Sequence, residues 1–153
     1  RGKKAAVNII RKHRLWEVFL VEKLQFSWDE VHDIAEQLEH IKSEQLINRL
    51  DEFLDFPTED PHGDPIPNKS GVVPKLTRQL LSDAPIQKKL ICVGVKDSSS
   101  SFLQYLNKQN ISLGTTLEII EKEDFDKSLK LVINHEEMTV SQLVGNNIFV
   151  KQL

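Results

Sequence analysis

The chain is poor in residues that crosslink or anchor a protein. Among its 153 residues there is one cysteine, Cys92, and one methionine, Met138. A lone cysteine excludes an internal disulfide, and its place in the apolar stretch "KLICVGV" predicts a buried, inert thiol. No apolar run approaches the roughly 20 residues a membrane span requires, and no basic, apolar, small-residue succession marks a signal peptide. These absences predict a cytoplasmic protein without a membrane partner. There is no H-E-x-x-H and no paired Glu-x-x-His, which argues against the commonest metal-dependent hydrolases and di-iron bundles. The serine run Ser98–Ser101 has no identifiable base, so it reads as a helix cap and not as a nucleophile.

What is present is unevenly distributed. Residues 1–14 carry six Lys or Arg and no acid, whereas residues 17–64 carry fourteen acids against Lys23, Lys42 and Arg49. An acidic middle is either a solvated surface or a set of carboxylates converging on a cation that offsets their repulsion. All six prolines fall between Pro57 and Pro85, which predicts turn and linker there. Before that segment, Ala6, Ile9, Ile10, Trp16, Phe19, Leu20 and Leu24 recur at helical spacing and predict one long amphipathic helix. "SWDE" reads as a capping box from Ser27 to Glu30, opening a second helix through about Ile41. Ser43 caps a third, in which Leu46, Ile47, Leu50, Phe53 and Leu54 form the apolar face. After the linker the period changes: "KLICVGV", "TTLEIIEK", "SLKLVIN", "MTVS" and "NIFVKQL" predict a five-stranded antiparallel barrel interrupted by a short helix at "SSSSFLQYLNKQ". The fold class is α+β: a helical domain over residues 1–67, a linker over 68–87 and a small barrel over 88–153. The helical part offers more apolar face than about 60 residues can bury on themselves, which predicts a homodimer.

Imidazoles and carboxylates recur on the helices. His32, Glu36, Glu39 and His40 follow one another at steps of four, three and one, on one side of the second helix, and His13 and Glu17 are four apart on the first. One such pair is as readily a solvated helix face. Two neighbouring helices offering them together supply the several oxygen and nitrogen donors that a divalent cation requires. The turn "FPTEDPHGDPIP" adds Asp60 and His62, where Pro61, Gly63 and Pro65 also suit a purely structural bend.

In order and spacing, "RKHRLWEVFLVEKL", "WDEVHDIAEQLEH" and "FPTEDPHGDPIP" resemble the dimerisation domain of the metal-dependent transcriptional repressors, which include the diphtheria toxin repressor and the manganese transport regulators. The following strands resemble their SH3-like third domain, of the FeoA type. The resemblance implies that Glu36, Glu39 and His40 belong to a primary, activating metal site, with Glu36 where iron-type members carry cysteine. A carboxylate in place of a soft thiolate favours Mn(II), with Fe(II) second. It implies further metal-binding positions at His13, Glu17 and His32, and a second site that joins Glu17 to Asp60 and His62 of the turn and to Asp97 of the barrel. This sequence departs from the family twice: Asp60 stands where the turn usually has cysteine, and Ser98 and Ser101 stand where an iron-type barrel offers an acidic and an amide group.

The family reads its DNA operator with an N-terminal winged helix, which does not occur within residues 1–153. The start at Arg1 suggests the later part of a longer polypeptide, whose upstream segment would complete the primary site and contact the operator. The resemblance implies a metal-dependent repressor of metal-uptake genes, not an enzyme, with no small-molecule substrate. The alternative is a metal-free dimeric adaptor.

Overall fold

A computed structural model describes residues 2–153; Arg1, one of the six basic residues at the start, lies outside the described residues. The chain divides into two units, Arg1–Leu76 and Thr77–Leu153. The first holds α1 (Gly2–Leu24), α2 (His32–Leu38) and α3 (Glu44–Phe53). The second holds β1 (Gln79–Leu80), a 3-10 turn at Leu81–Asp83, β2 (Lys89–Val95), α4 (Ser100–Lys108), β3 (Thr116–Lys122), β4 (Leu129–Ile133), β5 (Glu136–Val140), α5 (Gln142–Gly145) and β6 (Ile148–Gln152).

In the first unit the helices pack around Leu15, Val18, Leu20, Val31, Ala35, Ile47 and Leu50, closed by Leu54 and by Ile66 from the loop. The apolar stripe read from the sequence of α1 differs from the one buried. Ile9, Ile10 and Leu24 are exposed, while Arg11, Lys12 and Glu17 are buried. The reason is polar pairing: Arg11 donates to Asp51 Oδ2 at 3.0 Å and to Asn48 Oδ1 at 3.3 Å, fastening α1 to α3. α3 begins as expected, with Ser43 Oγ accepting from the Leu46 amide at 3.2 Å. Ile47, Leu50 and Leu54 are buried, but Leu46 and Phe53 face solvent.

α2 is shorter than its periodicity suggests. The Ser27 amide and hydroxyl both donate to Glu30 Oε1, at 2.9 and 2.7 Å, while the Glu30 amide donates to the Ser27 carbonyl. This closes a turn ahead of the helix instead of capping it; α2 starts after Val31 and ends at Leu38, which leaves Glu39 and His40 in the turn beyond.

The second unit is a single antiparallel sheet of six strands, order β1-β6-β2-β3-β4-β5. Each of the five expected runs forms a strand, and alternation supplies the core: Leu90, Cys92, Leu117, Ile119, Leu129, Leu131, Ile133, Ile148 and Val150 are buried. The sixth strand, β1, lies in the stretch expected to be linker and pairs with β6 at Gln79↔Val150 and Leu80↔Phe149. Two residues are too few to show a period, so the sequence carries no sign of it. α4 is capped by Ser99, whose Oγ accepts from the Phe102 amide. β4 and β5 join through Asn134 and His135, both at positive φ, in the tight turn that Asn favours; His135 is exposed. Burial pushes the Cys92 thiol up to about 11, which keeps it inert.

The Arg11–Asp51 pair sets a test of the first unit. Removing one partner of a buried pair strands the other charge, at a cost of about 3–5 kcal/mol, whereas replacing both with apolar groups costs little. Asp51→Ala is therefore expected to destabilise the first unit by about 3 kcal/mol in urea unfolding, and the double variant Arg11→Met, Asp51→Leu to regain most of it. Equal losses in both variants would contradict the role given to the pair.

Candidate metal centre

Glu17, in the third quarter of α1, is a buried carboxylate whose side chain is 3% exposed. His13, one helical turn earlier, brings Nε2 to 3.3 Å from Glu17 Oε2, and its Nδ1 lies 2.7 Å from Glu39 Oε1. His13 thus links α1 to the end of α2. Both of its ring nitrogens face carboxylate oxygens, which only accept, so the doubly protonated imidazolium satisfies both. Burial works against that charge, but Glu17 and Glu39 outweigh it and raise the His13 pKa above 6.5.

The other side of Glu17 faces the proline-rich turn. Asp60 organises this turn: its Oδ1 accepts from the His62 and Asp64 amides, both at 2.9 Å, and its own amide donates to the Asp64 carbonyl. Gly63 takes φ 84°, a value that a side chain would disfavour, and the Gly63 amide closes on the Asp60 carbonyl. The result is that His62 is buried with Nδ1 3.5 Å from Glu17 Oε2. Its Nε2 lies 2.7 Å from the Trp28 carbonyl, and the Trp28 ring stacks on the imidazole. A carbonyl can only accept, so Nε2 carries the hydrogen, and Nδ1 is the nitrogen that faces Glu17. Fixing a tautomer through a backbone carbonyl is how proteins prepare a histidine for a metal.

Asp60 and Glu17 share a proton. Burial, then the hydrogen bond to and charge of Glu17, push the Asp60 carboxyl up to about 9. Burial also opposes ionisation of Glu17, but hydrogen bonds from His13 and Asp60 and the nearby histidines hold it below its usual value. Arg14 reaches Asp60 only at the limit of an ion pair, with Nε 4.0 Å from Oδ2, and its NH1 donates to the Pro65 carbonyl.

Ligand atoms of Glu17, Asp60 and His62 lie within 4.8 Å of one another, as do those of His13, Glu17 and His32. Glu17 belongs to both sets. His32 also stands 5.0 Å, ring to ring, from His13, and its Nε2 is 3.5 Å from Glu36 Oε2 on the exposed flank of α2. Among the described residues Glu36, Glu39 and His40 do not gather. Glu36 turns to His32, Glu39 to His13, and His40 is exposed past the end of the helix, because α2 stops before its spacing can align them. Asp97 belongs to the second unit, exposed, with Oδ1 accepting from the Ser99 amide ahead of α4. Sequence reasoning passed over Arg14 and the Trp28 carbonyl. A main-chain acceptor leaves no trace in residue type, whereas Arg14 was visible as the neighbour of His13.

The donor set fits a hard divalent cation. Two buried carboxylates and an oriented imidazole converge where the protein alone must hold a proton to balance charge. Without metal, Asp60 keeps its proton at pH values where an unfolded carboxyl has lost it, so the folded state binds the extra proton between about pH 4 and 9. Stability therefore falls as pH rises through that window. His13, with its raised pKa, adds stability below about 6.5 that is lost on the alkaline side, while Glu17 contributes above its unfolded value of 4.5 and loses that on acidification. The urea midpoint of the metal-free protein is expected to drop from pH 6 to 9, and Asp60→Asn to flatten much of the drop. A wild-type midpoint constant over that range would contradict the shared proton.

Comparison with known proteins follows the same division. The iron dependent repressor, metal binding and dimerisation domain matches residues 1–68, and the FeoA domain matches residues 79–152. The structure superposes on that of a manganese-dependent transcriptional repressor in complex with manganese with a TM-score of 0.91, at 35% identity, over 99% of this chain and 73% of that one. The sequence is 28% identical over 149 residues to the diphtheria toxin repressor of Corynebacterium efficiens, covering 91% of this chain and 63% of the relative. Over 70 residues it is 40% identical to a probable metal transport system membrane protein of Chlamydia trachomatis, covering 46% of this chain and 16% of the relative. The chain therefore spans less than two thirds of the length of these two curated relatives. By sequence and by fold alike, it belongs to the family of metal-dependent transcriptional repressors that includes the diphtheria toxin repressor and the manganese transport regulators.

Proposed function

We propose that the chain is the metal-sensing and dimerising part of a cytoplasmic, metal-dependent repressor of metal-uptake genes, and that its role is regulatory and not catalytic. The observation that carries this reading is the buried Glu17–Asp60 pair with the His62 Nδ1 facing it. Glu17, Asp60 and His62 would hold the metal, with His13 and His32 beside them and Glu17 common to both sets. A divalent cation supplies there the positive charge that protons otherwise provide. Mn(II) is the first choice, supported by the oxygen-rich donors and by the structural relative that carries manganese; Fe(II) is the second.

This chain's own residues then set the coupling. Asp60 gives up its proton, and His13 is released from its bridge between Glu17 and Glu39, so the link between α1 and the end of α2 depends on metal occupancy. Glu36, Glu39 and His40 would form the activating site with donors from an upstream segment, which would also carry the operator-reading surface. A cation that binds the ordered arrangement better than the loose one shifts the population toward it, and the linked affinity for DNA rises with a coupling of about 1–3 kcal/mol.

The partner for this unit is a second copy. Leu24, Ile41, Leu46, Phe53 and Phe56 are all at least 36% exposed, with Phe53 and Phe56 at 61%. Large exposed aromatics on one small helical unit suit an apolar two-fold interface.

Two measurements test the reading. Light scattering is expected to give about twice the chain mass of 17.6 kDa, and Phe53→Asp to return it to a monomer. Mn(II) titration followed by electron paramagnetic resonance is expected to show binding that tightens as pH rises and releases at least one proton per ion. Glu17→Gln or His62→Ala should weaken it by about 100-fold or more. Identical titrations in wild type and variants would favour the metal-free adaptor.

A further inference from the structure

The donor sets of the first unit overlap, and the overlap has a direction. Ligand atoms of His32, Asp33 and Glu36, within 4.8 Å of one another, form a third set beside the two that share Glu17. His32 belongs both to this set and to that of His13 and Glu17; Glu17 in turn belongs to the set with Asp60 and His62. Burial rises along the series. His32, Asp33 and Glu36 are exposed, the His13 side chain is 16% exposed, and Glu17, Asp60 and His62 are buried. The steps are short: His32 Nε2 is 3.5 Å from Glu36 Oε2, the His32 and His13 rings are 5.0 Å apart, and His13 Nε2 is 3.3 Å from Glu17 Oε2, itself 3.5 Å from His62 Nδ1.

A cation bound at the Glu17 cluster has to reach groups that are 5% exposed or less. Burying a divalent ion stripped of its water is costly unless other donors replace the water, so entry is easiest where each ligand is exchanged for a neighbouring one. The other sides of the cluster suit this less. The Trp28 ring stacks on His62, and Arg14 brings a positive charge to 4.0 Å from Asp60 Oδ2, which repels an incoming cation. Among the described residues, it is the His32 flank that offers imidazole and carboxylate donors in sequence from the surface inward. Carboxylates at the outer end also raise the local concentration of cations.

We propose that this series is a path for metal entry: His32, Asp33 and Glu36 capture a hydrated divalent ion at the exposed flank of α2, His32 and His13 pass it inward, and Glu17 receives it together with Asp60 and His62. Asp33 has no place in the final site and acts on the rate alone. The inference rests on the reading of the Glu17 cluster as a metal centre.

The test mixes the metal-free full chain with Mn(II) by stopped flow and follows the fluorescence of Trp28, whose ring stacks on His62 and so reports arrival at the buried cluster. Asp33→Asn is expected to slow association by about tenfold, and release into chelator by the same factor, so that equilibrium affinity stays within about twofold of wild type. Asp33→Glu, which keeps the carboxylate, should restore most of the rate. Glu44→Gln, which removes an exposed carboxylate at the start of α3, should leave both rates as in wild type. Unchanged rates in Asp33→Asn overturn the path, and so does an equal slowing in Glu44→Gln, which would mean attraction by the acidic surface at large. A loss of affinity in Asp33→Asn through faster release also overturns it, by making Asp33 a ligand of the bound ion. Absence of Mn(II) binding by the wild type at equilibrium overturns the path through failure of the Glu17 reading itself, and the equilibrium titration tells that failure from the kinetic ones.

Discussion

The first unit is organised around one buried negative charge. Glu17 cannot be solvated where it sits, so its surroundings must neutralise it. His13 does so from within α1, Asp60 by lending a proton, and His62 by presenting its ring from the turn. Each of these groups is itself held by something else: His13 by Glu39 at the end of α2, Asp60 by the amides of its own turn, His62 by the Trp28 carbonyl. The charge therefore ties together α1, α2, the segment between them and the proline-rich loop. A change of charge state at Glu17 is felt in all four.

Asp60 illustrates how a substitution within a family can keep architecture while changing chemistry. At the position where the resemblance to the family implies cysteine, a carboxylate both builds the turn, through Oδ1, and places a second oxygen beside Glu17. Oxygen in place of sulfur hardens the proposed donor set toward Mn(II). Burial, and after it the hydrogen bond to and charge of Glu17, raise the Asp60 pKa in the metal-free protein. At the proposed site protons and a divalent cation would compete for one location, and binding there would respond to pH as well as to metal supply.

How much of this was legible in the sequence depended on the length of each pattern. The strands were plain, because alternation over five to seven residues survives any packing arrangement. The two-residue β1 was invisible. Helix existence in the first unit was clear and the buried faces less so: Arg11 and Glu17 are inside beside partners far along the chain, Asn48 and Asp51 for the one and His62 for the other, and no local period reports such pairings. Glu36, Glu39 and His40 were marked as a primary site by the family resemblance, which also implies further ligands from an upstream segment; within this chain α2 ends at Leu38, with Glu36 beside His32 and Glu39 beside His13. His62, which a loop position alone would mark as exposed, is 2% exposed, since the Asp60 turn folds it back against Trp28. Residue types carried the chemistry of the centre; only tertiary contacts decided which of them meet.

The central claim is that Glu17, Asp60 and the Nδ1 of His62 surround one divalent cation. Anomalous diffraction from crystals of the chain grown with Mn(II) tests it most directly. The account predicts an anomalous peak roughly 2.0–2.3 Å from oxygens of Glu17 and Asp60 and from His62 Nδ1, with the Trp28 carbonyl still holding Nε2. A peak only elsewhere, with Asp60 still hydrogen-bonded to Glu17 and His62 undisturbed, would contradict it.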